Sequence, residues 1–250
     1  MKLYDERTCI DNSTPLYHRK VPETQESLFF ETPLRCRYLI RASQPDAQPR
    51  KVALALHGYG SNPEAMLVLT AALLGPDWTV ASLQAPHQHY VTGDGKGGAP
   101  EGKAGYNWGI RDHWQDSVEL HHAMVLHVCR TLRERFDVLP AGCLLVGFSQ
   151  PVGLNYRFAG TYPEEFGGIL AICGGVPRDW EEEKYRSIEA PILHIARTED
   201  EFYPVPVVTE FPRRLRVHAS DVEFHLLPGK HRFPSQAGPV ARPWLRRVFP

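Results

Sequence analysis

Cys143-Leu144-Leu145-Val146-Gly147-Phe148 runs directly into Ser149-Gln150-Pro151. Six apolar or glycine residues in a row are short for a buried helix and suit a strand covered on both faces. The run stops at Ser149. Pro151 then supplies a φ near −65°, which fits the first turn of a helix. The stretch therefore predicts a strand, a sharp turn and a helix, with one hydroxyl at the turn. A serine hydroxyl is a poor nucleophile at its own pKa; it needs exposure, a base and support for the oxyanion it creates. A strand-to-helix turn lifts the hydroxyl clear of the sheet, and the helix N-terminus aims amides at the reaction. Gly147, two residues before the serine, leaves room for the helix to pass close. The fifth position of the usual G-x-S-x-G pattern is Pro151 here. Proline biases Gln150 away from the α region, and Gly153 is the residue expected to take over part of the close packing.

Outward from this element, the same kind of run recurs. Lys51–Leu56, Trp78–Leu83, Gly168–Cys173, Pro191–Ala196 and Val222–Leu227 are short and apolar, and 34–41 alternates loosely. Between them lie stretches with helical spacing, Pro63–Leu74 and the series Trp114, Val118, His121, Val125, Val128, Leu132 and Phe136. Strands alternating with helices predict an α/β fold, with a mostly parallel sheet and helices on both faces. The glycine-rich residues 86–111 read as the longest irregular stretch, which in a compact domain is usually functional or mobile. Residues 1–30, polar and broken by Pro15 and Pro22, read as an irregular N-terminal arm before a single domain over 31–250.

With 250 residues and 42% apolar side chains, the chain can bury a large core without a disulfide or metal. Its 28 basic and 29 acidic residues leave no basic excess for nucleic-acid binding. Arg213-Arg214-Leu215-Arg216 reads as a solvated helix face. The longest apolar stretch, near Met66–Leu74, is about half of what a bilayer requires, so stable membrane insertion is not expected. The opening MKLYDERTCID lacks the apolar core of a signal peptide. Cys9, Cys36, Cys129, Cys143 and Cys173 are odd in number and form no C-x-x-C pair, which suits reduced thiols in the cytoplasm.

A nucleophilic serine on such a sheet takes its partners in the order Ser, acid, His. Asp200 lies four residues beyond the Pro191–Ala196 run and is favoured over its neighbours Glu199 and Glu201. Asp179 falls at a predicted helix start, and Asp221 opens a strand at the opposite edge. His231 follows the last strand, whereas His218 falls in a helical stretch and His225 within a strand. Ser149, Asp200 and His231 then share the C-terminal edge of the sheet, where ligands bind in such folds. His57-Gly58-Tyr59-Gly60, after an early strand, forms a tight loop. Its Tyr59 N–H, together with the Gln150 N–H, can receive an oxyanion, while His57 itself reads as structural. Tyr90, Tyr106 and Trp108 cluster in the 86–111 stretch and are candidates for a substrate pocket. Among twelve histidines the nearest clusters are His87-x-His89 and His121-His122. No H-E-x-x-H, zinc-type Cys/His spacing, G-x-G-x-x-G or phosphate-loop pattern is present, so no metal or other cofactor is expected.

The pieces Leu56-His57-Gly58-Tyr59-Gly60, Gln84-Ala85-Pro86, Tyr106-Asn107-Trp108, Gly147-Phe148-Ser149-Gln150, Cys173-Gly174-Gly175, the Pro191 run with Asp200, and Gly229-Lys230-His231 come one after another across residues 34–245. In this order they resemble the carboxylesterase/phospholipase family of α/β-hydrolases, which includes the acyl-protein thioesterases. The resemblance implies an α/β-hydrolase fold with Ser149 as nucleophile and Asp200 and His231 as its partners. It also implies an oxyanion hole of the Tyr59 and Gln150 amides. The chain departs from the family pattern at Pro151-Val152, where two glycines are usual, at Arg197, where a glycine is usual, and at Lys230. The expected function is a serine carboxylesterase acting through an acyl-enzyme, without a cofactor, on a small-molecule acyl ester. An acyl thioesterase or lysophospholipase would use the same groups, and a non-catalytic ligand-binding relative is the third reading. A homodimer is compatible with the sequence.

Overall fold

Pairing places Cys143–Phe148, the strand that leads into Ser149, at the centre of a seven-stranded sheet. The computed structural model describes residues 26, 28–46, 50–91 and 103–250. Its elements are, in chain order, β1 Tyr38–Arg41, β2 Lys51–Leu56, α1 Pro63–Leu74, β3 Trp78–Leu83, β4 His87–Val91, β5 Lys103–Asn107, α2 Trp114–Phe136, β6 Cys143–Phe148, α3 Pro151–Thr161, β7 Gly168–Ile172, β8 Ile192–Arg197, α4 Val205–Val208, α5 Phe211–Leu215, β9 Val222–Leu227 and α6 Gly238–Val248. The main sheet has the order β1-β3-β2-β6-β7-β8-β9. Every pair in it is parallel except β1 with β3. Contacts divide the chain into Met1–Leu34 and Arg35–Pro250. Residues 1–25 of the predicted arm lie outside the described residues; 28–34 carry no regular element and are exposed. Among the described residues, the main sheet and the helices belong to the second unit.

The apolar strands are buried on both faces because alternate residues enter different layers. Leu145 of β6 packs with Val52, Leu54 and Leu56, beneath Val118, Val125 and Leu132 of α2 and Leu154 and Phe158 of α3. Leu144 and Val146, pointing the other way, pack with Ala53 and Ala55 beneath Met66 of α1 and Trp244 and Leu245 of α6. Burying each such Leu or Val stabilises the fold by roughly 1.5–3 kcal/mol relative to exposure. The helix start at Pro63 is set by Asn62, whose side chain accepts the Ala65 N–H.

Three expectations need correction. Residues 86–111 are not a structureless loop: β4 and β5 pair antiparallel, from His87 with Asn107 to Val91 with Lys103. Their side chains are mostly exposed, so the ribbon left no apolar period to read. Its hold is backbone pairing. The Gly60 N–H donates to Tyr106 O at 2.9 Å and the Tyr106 N–H to Ser61 O at 3.1 Å. A Cβ on Gly105 would stand 2.7 Å from Gly60 O, so this close approach requires glycine. Residues 92–102, between the two strands, lie outside the described residues. Arg214 is not a solvated helix face either: its guanidinium donates to both carboxylate oxygens of Glu181 and to Pro177 O, tying α5 to the segment after β7. Asp179 sits in a turn rather than at a helix start. It accepts from Arg157, Lys184 and Tyr185.

Candidate active site

β6 delivers Ser149 in a left-handed backbone conformation, φ 64°. A non-glycine residue held there costs on the order of 1–3 kcal/mol, which surrounding contacts must offset. They do so on both sides: the Ser149 N–H donates to Ile172 O of β7 at 2.9 Å, and Ser149 O accepts from the Val152 N–H at 3.1 Å. A Cβ on Gly147 would stand 2.6 Å from the Asn155 amide nitrogen, so glycine there lets α3 pass close, as its position predicts. The second space-making glycine is Gly174 and not Gly153. A Cβ on Gly174 would fall 2.2 Å from Val152 Cβ and 2.7 Å from Ser149 O, whereas one on Gly153 would meet nothing nearer than 3.4 Å. Pro151 does not displace Gln150 from the α region; its φ is −50° and ψ −47°. Tertiary bonds hold it. Gln150 Oε1 accepts the Trp108 N–H at 3.0 Å, and Nε2 donates to Gly109 O at 2.8 Å.

One chain of hydrogen bonds leads away from the serine. Ser149 Oγ lies 2.7 Å from His231 Nε2, and His231 Nδ1 lies 2.7 Å from Asp200 Oδ2. With Asp200 ionised, Nδ1–H donates to it, and Nε2 is left to accept the serine proton. The other Asp200 oxygen accepts the Phe202 and Tyr203 N–H groups at 2.9 and 3.0 Å. The Asp200 side chain is 1% exposed and the His231 side chain 11%. Of the three neighbouring acids, Asp200 meets the imidazole; Glu201 instead accepts the His231 backbone N–H at 3.3 Å. Phe148, Phe202 and Tyr203 pack around the imidazole at centroid distances of 5.4, 4.8 and 6.0 Å. Of the other late histidines, His218 lies in a turn past α5, and His225 in β9 bonds Glu223.

The loop carrying His231 is fastened by residues that sequence reasoning left without a role. Gly229 O accepts the Glu199 N–H at 2.8 Å, and Thr198 Oγ1 accepts the Gly229 N–H at 3.3 Å. Arg197, standing where a glycine is usual, lies against Gly229: a Cβ there would come within 1.9 Å of its guanidinium. The guanidinium, at the far end of a flexible side chain, can give way; the backbone conformation, φ 123°, is what favours glycine at 229. Cys173, at the end of β7, has φ 49°. Its thiol reaches Arg232 O at 3.6 Å, and burial pushes the thiol up to about 12. It is a structural contact, not a nucleophile.

The His57–Gly60 loop packs onto the serine turn; a Cβ on Gly58 would lie 3.2 Å from Ser149 Cβ. Neither the Tyr59 nor the Gln150 N–H donates to an acceptor among the described residues. His57 is buried and structural, its Nε2 accepting the Ala85 N–H at 3.1 Å. Burial lowers its pKa, which keeps that acceptor available. The three pocket aromatics do not line one cavity together. Trp108 is 0% exposed and donates through Nε1 to His57 O at 2.7 Å, so it supports the loop from beneath. Tyr106 is half-buried against the core, and Tyr90 is exposed. Tyr59 packs against His89, ring centroids 4.8 Å apart and planes tilted by 32°.

Among the described residues no group of three His, Cys, Asp or Glu is arranged to hold a metal, and no helix is long and apolar enough to cross a membrane. His121 bonds Asn155 Oδ1 at 3.2 Å, and His122 packs edge-on against Phe158.

A family model described as Phospholipase/Carboxylesterase matches residues 40–238. Among solved structures, esterase PE8 aligns with a TM-score of 0.70 at 23% identity, covering 86% of this chain and 100% of that one. A Bacillus cereus carboxylesterase aligns at 0.66 and 16% identity, covering 86% and 95%. A carboxylesterase from Mesorhizobium loti aligns at 0.66 and 18% identity, covering 86% and 97%. No curated protein matched. The likenesses in structure carry the fold, and the family model spans most of the sequence, including Ser149, Asp200 and His231: the chain belongs to the phospholipase/carboxylesterase family of α/β-hydrolases.

Proposed function

We propose that the protein is a serine carboxylesterase that hydrolyses carboxylic esters through an acyl-enzyme on Ser149. The observation that carries this reading is the unbroken hydrogen-bond chain from Ser149 Oγ through His231 to Asp200. Ser149 Oγ attacks the ester carbonyl carbon as its proton passes to His231 Nε2. The carbonyl π electrons move onto oxygen, where the free Tyr59 and Gln150 amides can donate to them. One such donor is typically worth on the order of 3 kcal/mol in the transition state. When the tetrahedral intermediate collapses, the C–O bond to the alcohol breaks and His231 protonates the departing oxygen. Water, deprotonated by the same nitrogen, then attacks the acyl-enzyme, releasing the carboxylic acid and restoring the serine. Asp200 holds the imidazole in the tautomer this requires and stabilises its cation.

The reaction consumes ester and water and needs no cofactor. The reading as a non-catalytic binder depended on Pro151 remodelling the turn; Gln150 in the α region and the 2.7 Å serine–imidazole bond speak against it. A fluorophosphonate probe tests the proposal. The protein should be labelled at Ser149, and the label should vanish in Ser149→Ala. Undiminished labelling of that variant would remove Ser149 as the nucleophile.

A further inference from the structure

Beside the nucleophile turn lies a cleft of about 620 Å³ lined by Gly109, Ile110, Arg111, Trp114, Arg157 and Arg178, a size within the range of small-molecule sites. The Gln150 side chain links its lining to the serine turn. Gly109 O is held by the Gln150 side chain, one residue from the serine. Arg157 stands on α3, the helix that the serine turn opens. Arg178 follows Gly174, the residue packed against Ser149 O.

Three of the six lining residues are arginines and none is acidic. Arg157 is already matched, since it donates to Asp179, as does Lys184. Burial pushes the Asp179 carboxyl up, but the bonds from Arg157 and Lys184 win and hold it well below the usual carboxylate range. It therefore stays charged and spoken for. Arg111 and Arg178 are exposed, and their guanidinium groups make no hydrogen bond or ion pair with any described residue. The acids closest to Arg111 in sequence, Asp112 and Asp116, are exposed and lie 3.7 and 3.9 Å from the His113 ring.

Two unmatched guanidinium groups over a concave surface with no acid in its lining attract anions. Their planar forks suit a carboxylate. A neutral hydrocarbon laid there would strip water from both groups with nothing in return.

We propose that the ester cleaved at Ser149 carries a carboxylate a few bonds from the scissile carbonyl, bound in this cleft by Arg111 and Arg178. The proposal rests on the ester-hydrolase reading above and specifies its substrate class.

Two matched substrate sets test it. The first compares mono-p-nitrophenyl esters of dicarboxylic acids, succinate to suberate, with p-nitrophenyl esters of monocarboxylic acids of equal length. The second compares the acetate ester of 3-(4-hydroxyphenyl)propionate with 4-propylphenyl acetate, which puts the carboxylate on the alcohol side. In at least one set, kcat/KM should favour the carboxylated member by about tenfold or more, chiefly through KM, and the preference should shrink as salt rises from about 0.02 to about 0.5 M. Arg111→Ala and Arg178→Ala should each cut that ratio by about three- to tenfold. The double variant should bring it to within about twofold of unity. Neither guanidinium bonds any described residue, so melting temperatures should stay at the wild-type value. Arg213→Ala, at an exposed arginine that pairs with Glu210 and does not line the cleft, should keep the wild-type ratio. A ratio at or below unity in both sets, or a ratio that the double variant leaves intact, overturns the proposal while ester hydrolysis stands. Loss of the parent reading looks different: no ester in either set is turned over, and Ser149 takes no label.

Discussion

Two hydroxyl–imidazole pairs in this molecule have the same length and opposite characters. Ser149 Oγ meets His231 at 2.7 Å, and Tyr156 Oη meets His194 Nδ1 at 2.7 Å. The first pair lies at the C-terminal edge of the sheet, on a turn with a left-handed residue, backed by Asp200 and facing two unused amides. The second is sealed beneath α3 and α5, with both residues fully buried among Trp180, Phe211 and Phe224. His194 has no carboxylate behind it, and its Nε2 finds no partner among the described residues. Burial pushes His194 down to about 3 and pushes the Tyr156 phenol well up, so neither group exchanges a proton near neutrality. A short hydrogen bond therefore says little about reactivity. On the proposed mechanism, what separates the pairs is access, a third group to stabilise an imidazolium, and the two amides proposed to receive the developing charge.

The contrast can be broken from either side. Ser149→Ala should lower kcat by about 10⁶ if the three residues act as a unit; a loss under tenfold would place the two pairs in the same class. Asp200→Asn should lower kcat by about 10⁴, because the amide presents the wrong partner to Nδ1–H. Steady-state rates on a p-nitrophenyl ester measure both.

Tyr156→Phe should act on stability instead. Leaving His194 Nδ1 unpaired costs about 1–3 kcal/mol, with the melting temperature lower by about 2–4 °C per kcal/mol, while the folded fraction keeps its kcat. A kcat that falls with an unchanged melting temperature would reverse the assignment.

A graded effect is expected with pH. His194 is held down to about 3 and His122 to about 4, in both cases chiefly by burial. Unfolding raises each toward about 6.5. The unfolded chain thus binds more protons below that value. Their stabilisation is complete above about pH 6.5 and is lost as pH falls toward 4 and then 3, by at most ~1.4 kcal/mol per pH unit for each histidine. Urea midpoints between pH 7 and 4 should show this slope, and His194→Leu should flatten it. An equal slope in that variant would show that His194 takes no part.

Legibility followed the period of the side chains. The limits of β2, β3, β6, β9, α1 and α2 match those read from the sequence, because each carries a regular apolar pattern or a glycine or proline stop. The ribbon of β4 and β5 carries no such pattern and was missed. Its partners are backbone groups of residues 60 and 61, remote in sequence. That Ser149, His231 and Asp200 come together was legible from residue type, chain order and position after a strand. The pocket aromatics were not. Clustering in sequence could not show that Trp108 turns inward to bond His57 O while Tyr90 turns out. Nor could it show that Gly174, rather than Gly153, admits the turn, since that depends on how β7 meets Val152.

Local order of residues determined the strand–turn–helix at Ser149, the alternation that makes a parallel sheet, and the short list of acids and histidines that could serve it. These are properties of nearest neighbours along the chain, set by propensity and periodicity. Tertiary structure alone decided that Trp108 turns inward to His57, that the Arg197 guanidinium lies against Gly229, and that three arginines far apart in sequence share one cleft. Each of those depends on the distance between elements, which only packing sets.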